Sequence, residues 1–255
     1  MLSLFKKSKH VFDKTEPLLL LAKQYENDPL ELIYIINYAT KLYISKRSKE
    51  LFYNNDIKRE NLPDIEVLPR EINRYDLLMT GKKNVSNTIN LQSSAIIPWV
   101  WNKSRLIDCI KYIGTEENPW QLDDSNHRVK FLFPMCYTVV YGGNHSLTTG
   151  ILKGSNVEFK EESYYDLSHV YKEIRYKKGF FYTPNGKFKL SDNERITGIL
   201  FEIGRMILNS GFTYDDYITK YQNKYDPKSS KTFEKFALLE LESSKLIDEI
   251  VCYKI

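Results

Sequence analysis

Cysteine is scarce in this chain, and what there is lies far apart. Cys109, Cys136 and Cys252 are odd in number and show no C-x-x-C spacing, which argues against a disulfide framework or a zinc knuckle and for a reducing compartment. Long apolar runs are lacking too. The longest candidate, Leu18 to Ala22 and then Leu30 to Ala39, is interrupted by Lys23, Glu26, Asp28 and Pro29. It falls short of the roughly 18 to 20 residues that a membrane-spanning helix needs, so no membrane partner is expected. The first ten residues place Lys6, Lys7 and Lys9 around a short apolar patch, without an extended apolar region or a small-residue cleavage site, and read as the mature end of a cytoplasmic protein. Charge of one sign is also missing. Against 33 Asp and Glu stand 37 Lys and Arg, a net charge of +4, which is too small to mark a nucleic-acid binder by itself.

What is present is material for a core. The 255 residues are 42% hydrophobic and 14% aromatic, enough for one large domain or two small ones and too apolar for general disorder. Leu18, Leu19, Leu21, Ala22 and Tyr25, then Leu30, Leu32, Ile33, Ile36 and Ala39, recur at helical spacing and predict two helices broken at Asn27-Asp28-Pro29. Residues 54–90 read as a connector with a short helix over 70–78. Ala95-Ile96-Ile97 is strand-like and closed by Pro98, and a helix is expected over 103–112, with Gly114 past its end. Val129 to Phe133 and Tyr137 to Tyr141 read as adjacent strands.

Further on, 157–159, 170–176 and 179–182 look extended, and Pro184-Asn185-Gly186 is a turn into 187–190, which predicts a second small antiparallel sheet. A helix over 192–209, capped by Ser191 or Asp192 and closed by Gly211, and a last helix over 231–253 complete the pattern. The fold class expected is α+β, a central small mixed sheet flanked by N-terminal and C-terminal helices. Three regions follow: 1–90 helical, 91–190 central α+β, and 191–255 helical.

The segment with most chemical content is Tyr141-Gly142-Gly143-Asn144-His145-Ser146, expected at a strand end, a turn and a helix start. Glycine lets backbone approach a ligand, and a helix N-terminus offers N–H groups to a phosphate. Gly142, Gly143, Asn144 and Ser146 are therefore candidate phosphate binders. An unperturbed imidazole has a pKa close to neutrality, so His145 is a candidate acid or base, with Asn144 beside it. The alternative is a tight turn that Asn144 or Ser146 caps, with His145 a satisfied polar residue.

The order of these features resembles the ParB N-terminal, sulfiredoxin-like nucleotide-binding superfamily. Ile96-Ile97-Pro98 stands for its proline box, Arg105 to Ile113 for its helix, Val129 to Phe133 for its second strand, and Gly143-Asn144-His145-Ser146 for its Gly-x-His-Arg box. The resemblance covers residues 92 to 153 and departs at Ser146, where the family places arginine; Arg128 is the candidate to supply that charge. It implies a nucleotide, with Mg2+ as its counter-ion, or a nucleic-acid phosphate as ligand, and phosphoryl transfer or hydrolysis as the reaction.

Other signals are thinner. His169 has no partner at metal-ligating spacing, and Asp123-Asp124, Glu161-Glu162 and Asp215-Asp216 form no diagnostic metal set, so no metal ligand is assigned. Trp99, Trp101 and Trp120 suit a pocket wall or simple core packing. Tyr164, Tyr165, Tyr171, Tyr176, Phe180, Phe181 and Tyr182 interleave with Lys172, Arg175, Lys177 and Lys178. That composition fits a base-stacking, phosphate-neutralising surface and equally an amphipathic sheet. Three readings stand: a ParB-like phosphate site, a non-enzymatic phage, mobile-element or defence-related interaction protein with an aromatic protein-binding surface, and a nucleic-acid-binding regulator.

Overall fold

The computed structural model describes residues 16–53, 79–85, 87–161, 163–191 and 194–224. The helices expected over 70–78 and 231–253 lie outside these residues, as does Asp192. Residues 24–28 separate the first two helices, α1 (Glu16–Lys23) and α2 (Pro29–Tyr53). Proline suits the first helical position because its missing N–H would have no intrahelical acceptor there. Asp28 Oδ1 accepts from the Glu31 N–H at 3.4 Å, the bond expected of an N-cap carboxylate.

The chain continues through β1 (Lys82–Lys83), β2 (Asn87–Asn90), β3 (Ile96–Ile97), α3 (Lys103–Tyr112), the hairpin β4 (Arg128–Phe133) and β5 (Tyr137–Gly142), α4 (Asn144–Leu152), β6 (Glu158–Glu161) and β7 (Tyr164–Asp166). A 3-10 turn, Ser168–Lys172, then leads to β8 (Arg175–Lys177), β9 (Phe180–Thr183), β10 (Gly186–Lys189) and α5 (Arg195–Asn209). A short helix, α6 (Tyr214–Asp216), and the helical turn Tyr217–Tyr221 follow. The fold is α+β. Its central sheet is mixed, in the order β1-β7-β4-β5-β3, with β4 antiparallel to β5 and parallel to β7, and β3 parallel to β5.

β4 and β5 are buried along most of their length because both sheet faces are covered, which is why they read as continuous apolar runs. The strands contribute to two apolar clusters. Ile97, Phe131 and Val139 join the main core with Leu32, Ile36, Leu200 and Ile203. Ile96, Val129 and Val140 pack with Trp120 and Leu147 in a second, smaller cluster. The main core takes residues from 21 to 221, so one apolar interior runs through all three regions assigned from the sequence.

α5 starts at Arg195, three residues later than the expected 192. Ser191 nevertheless ties to its start: the backbone N–H and hydroxyl both donate to Glu194 Oε2, at 2.9 and 2.6 Å. The second antiparallel sheet is present, in the order β10-β9-β8. Extension over 170–176 is a miss, because Ser168–Lys172 winds into the 3-10 turn and only Arg175–Lys177 is strand. Tertiary bonds outweigh the extended pattern there: the Arg205 guanidinium donates to the carbonyls of Tyr171 and Ile174. Among the described residues no helix is long and apolar enough to cross a membrane.

Candidate functional site

The glycine turn joins β5 to α4, and its conformation follows from one residue. Gly143 has φ of +72° and precedes the first helical residue, a backbone state costly to residues with a Cβ. A Cβ there would also lie 2.2 Å from Cδ2 of His127, so glycine is required by space as well as by torsion. The expected cap differs: Gly143 occupies the N-cap position, Asn144 is already helical, and neither Asn144 nor Ser146 caps through its side chain. Instead Ser146 Oγ donates to the Gly143 carbonyl at 3.0 Å.

The next three side chains each hold a different part of the molecule. Asn144 Oδ1 accepts from the Trp99 backbone N–H at 2.7 Å, fixing the segment after β3. His145 Nε2 accepts from the Asn102 N–H at 3.3 Å, and its ring stands edge-on to Trp101 at 4.5 Å between centroids. Asn102 in turn caps α3, its Oδ1 accepting from the Arg105 N–H at 2.7 Å. Ser146 Oγ lies 2.7 Å from His127 Nε2, and the Ser146 carbonyl accepts from Trp120 Nε1 at 2.8 Å. Trp120 also stacks on His127, 4.9 Å between centroids. Asn144 and His145 are buried, at 9% and 7% exposure.

His127, the residue before Arg128 in the sequence, is therefore a member of the turn's environment. Its signal was its neighbour Arg128, which pairs with Gly142 across the β4–β5 hairpin and is exposed. Its Nδ1 accepts from the Asp123 N–H at 3.0 Å, so the ring proton sits on Nε2 and is donated to Ser146. Burial holds the His127 pKa below its ordinary value, opposed by the carboxylates of Asp123 and Asp124. Gly142, Gly143, Asn144, His145, Ser146 and Arg128 are thus brought together. The buried side chains of Asn144 and His145 fasten the scaffold, while Arg128 is exposed beside it.

A second constellation lies on β8–β10. In register, Arg175 stands opposite Tyr182, which stands opposite Lys187; in the next row Lys177, Phe180 and Lys189 align. Directly opposed residues share a face, so two aromatic rings on the middle strand are flanked by four cations. Those four are exposed, Tyr182 is 39% exposed and Phe180 is half-buried. The three strands contain no carboxylate. Lys187 Nζ lies 3.9 Å from the Phe180 ring centroid and 5.2 Å from that of Tyr182, a cation–π arrangement. The opposite face carries Tyr176 and Phe181, both in the core. Tyr182, Phe180, Arg175 and Lys177 were singled out from the sequence; Lys187 and Lys189 were not, although the alternation Lys-Phe-Lys after the Pro184-Asn185-Gly186 turn was the available signal.

Tyr164, Tyr165 and Tyr171 belong to the interior instead. Tyr164 stacks on Tyr214 at 3.6 Å and Tyr171 on Phe201 at 4.1 Å. Trp99 is fully buried, Trp120 nearly so, and Trp101 half-exposed. Among the described residues no three His, Cys, Asp or Glu side chains converge as a metal site.

Residues 6–214 match a family of unknown function, DUF6710, and the chain belongs to that family. No curated protein and no solved structure matches the chain.

Proposed function

We propose that this DUF6710 member binds single-stranded nucleic acid across the outward face of β8–β10. The observation that carries the reading is the register itself: Phe180 and Tyr182 sit side by side on the middle strand, between Arg175 and Lys177 on one side and Lys187 and Lys189 on the other. Rings exposed on a sheet stack with bases of any sequence, and cations on both flanks neutralise the phosphates that run alongside. A duplex hides its base faces, so a stacking platform favours a single strand. The overall charge of +4 is no obstacle, because the cations concerned are concentrated on three strands that contain no carboxylate. Oligonucleotide binding followed by fluorescence anisotropy tests this. Tyr182→Ala and Phe180→Ala should each weaken binding by about 1–3 kcal/mol, roughly 5- to 150-fold. Unchanged affinity in both variants would contradict the reading.

One observation favours a second reading, the ParB-like phosphate site at the turn. Arg128 is exposed and cross-strand from Gly142, next to the N–H groups of the first turn of α4, where an anion is favoured. In that reading a nucleotide with Mg2+ is held by backbone and by Arg128, while His145 and Asn144 position the turn. A nucleotide-induced rise in melting temperature that disappears in Arg128→Ala supports it; a rise that survives Arg128→Ala counts against it.

A further inference from the structure

We propose that a cleft beside β8 is a phosphomonoester site, an inference that extends the nucleic-acid reading of the sheet face to the strand's terminal phosphate. The cleft has a volume of about 720 Å³ and is lined by Lys83 on β1, by His169 and Lys172 on the 3-10 turn, by Arg175 on β8 and by Arg205 on α5, with Asp166 as its only carboxylate among the described residues. That volume suits a nucleotide-sized ligand.

The cations divide into those with a structural task and those without. Arg205 is engaged: its Nε donates to Glu202 at 2.9 Å and its two terminal nitrogens donate to backbone carbonyls. Asp166 Oδ1 accepts from the Ser168 N–H at 2.9 Å. Lys83, Lys172 and Arg175 are exposed and, among the described residues, make no ion pair. Like charges drawn from three separate elements repel one another unless an anion sits between them. A terminal phosphate carries about −1.5 to −2 charges near neutrality, more than the single charge of a diester link, and so gains most from several cations at once.

Arg175 connects the two surfaces. It lines the cleft and also heads the row Arg175–Tyr182–Lys187 on the sheet face. A strand stacked on Tyr182 therefore has its next phosphate at the cleft mouth. The same chemistry could come from a strand end or from a free nucleoside monophosphate, and the experiment separates these sources.

The test uses oligonucleotides with 5′-phosphate, 3′-phosphate or hydroxyl ends, and a nucleoside 5′-monophosphate, against the full chain and against a variant carrying Lys83→Gln and Lys172→Gln. Both lysines are exposed and off the sheet face, so a melting curve should be unchanged. One terminal phosphate is expected to tighten binding by about tenfold, an advantage of about 1.4 kcal/mol, and the double variant to lose that advantage while binding hydroxyl-ended strands as before. Binding of the monophosphate alone, lost in the variant, assigns the cleft to a free nucleotide. Equal binding of phosphate and hydroxyl ends with no binding of the monophosphate would overturn the proposal even if strands bind the sheet face. Discrimination that persists in the double variant would overturn it too. Failure of every strand to bind defeats the sheet-face reading, and the monophosphate result then decides the cleft by itself.

Discussion

At His127 both ring nitrogens are occupied: Nδ1 accepts from the Asp123 N–H and Nε2 donates to Ser146 Oγ, which donates onward to the Gly143 carbonyl. A serine activated as a nucleophile needs the reverse, an unprotonated imidazole nitrogen facing its hydroxyl. The pair therefore fastens the turn to the segment before β4. Protonation would put a second hydrogen on Nδ1, facing the Asp123 donor, in the same direction as burial, which lowers the His127 pKa. With the folded pKa below the unfolded value of about 6.5, the stability linked to this group is fully present above about pH 6.5 and is lost as pH falls toward the folded value. Melting temperature should thus fall between about pH 7 and about pH 5, and His127→Gln, which cannot titrate, should flatten that dependence. Identical pH profiles for the two proteins would remove His127 from the account.

The turn was legible in the sequence, but what its side chains hold was not. The Gly-Gly-Asn-His-Ser string marks a strand-to-helix turn, and the turn is there. That Asn144 reaches Trp99, that His145 reaches Asn102, and that His127 reaches Ser146 depends on contacts 45, 43 and 19 residues away, which no local spacing encodes.

Among the elements, the attachment of β8–β10 to α5 decides whether the outward face is presented at all. Gly198 makes that contact possible: a Cβ on it would lie 2.2 Å from Cδ2 of Tyr176, whose ring is buried on the inner face. Alanine is the better helix former by about 1 kcal/mol, yet overpacking a tight contact costs about 1–3 kcal/mol. The overlap is with the ring itself rather than the end of a flexible chain, so the second term should win. Gly198→Ala is predicted to lower the melting temperature; an increase would mean that the ring moves aside without penalty.

Elements with a local cause were read well. Proline at the first position of α2, the run over 103–112 for α3, and the Pro184-Asn185-Gly186 turn into β10 all act within a few residues. β1 and β2 escaped notice because each is short and gains strand character only from a distant partner, Lys82 opposite Tyr165 and Thr88 opposite Lys160. The 3-10 turn at Ser168–Lys172 was taken as extended because its cause, Arg205, lies on α5.

Over the whole molecule, one apolar interior unites α1, α2, the central sheet, α5 and the aromatic residues 212–221, while charge is distributed unevenly on the outside. A net charge of +4 conceals a surface on which four cations surround two rings without a carboxylate in the same strands. Affinity that depends on such a patch must be salt-dependent, because each phosphate neutralised releases counter-ions. The most direct measurement is the affinity of an unstructured oligonucleotide for the full chain over a series of salt concentrations, repeated with Lys187→Gln. Four phosphate contacts on a single strand predict a slope of log K against log salt of about −3, less steep by about 0.7 in the variant. No measurable binding at low salt, or binding indifferent to salt and to Lys187, would contradict the account.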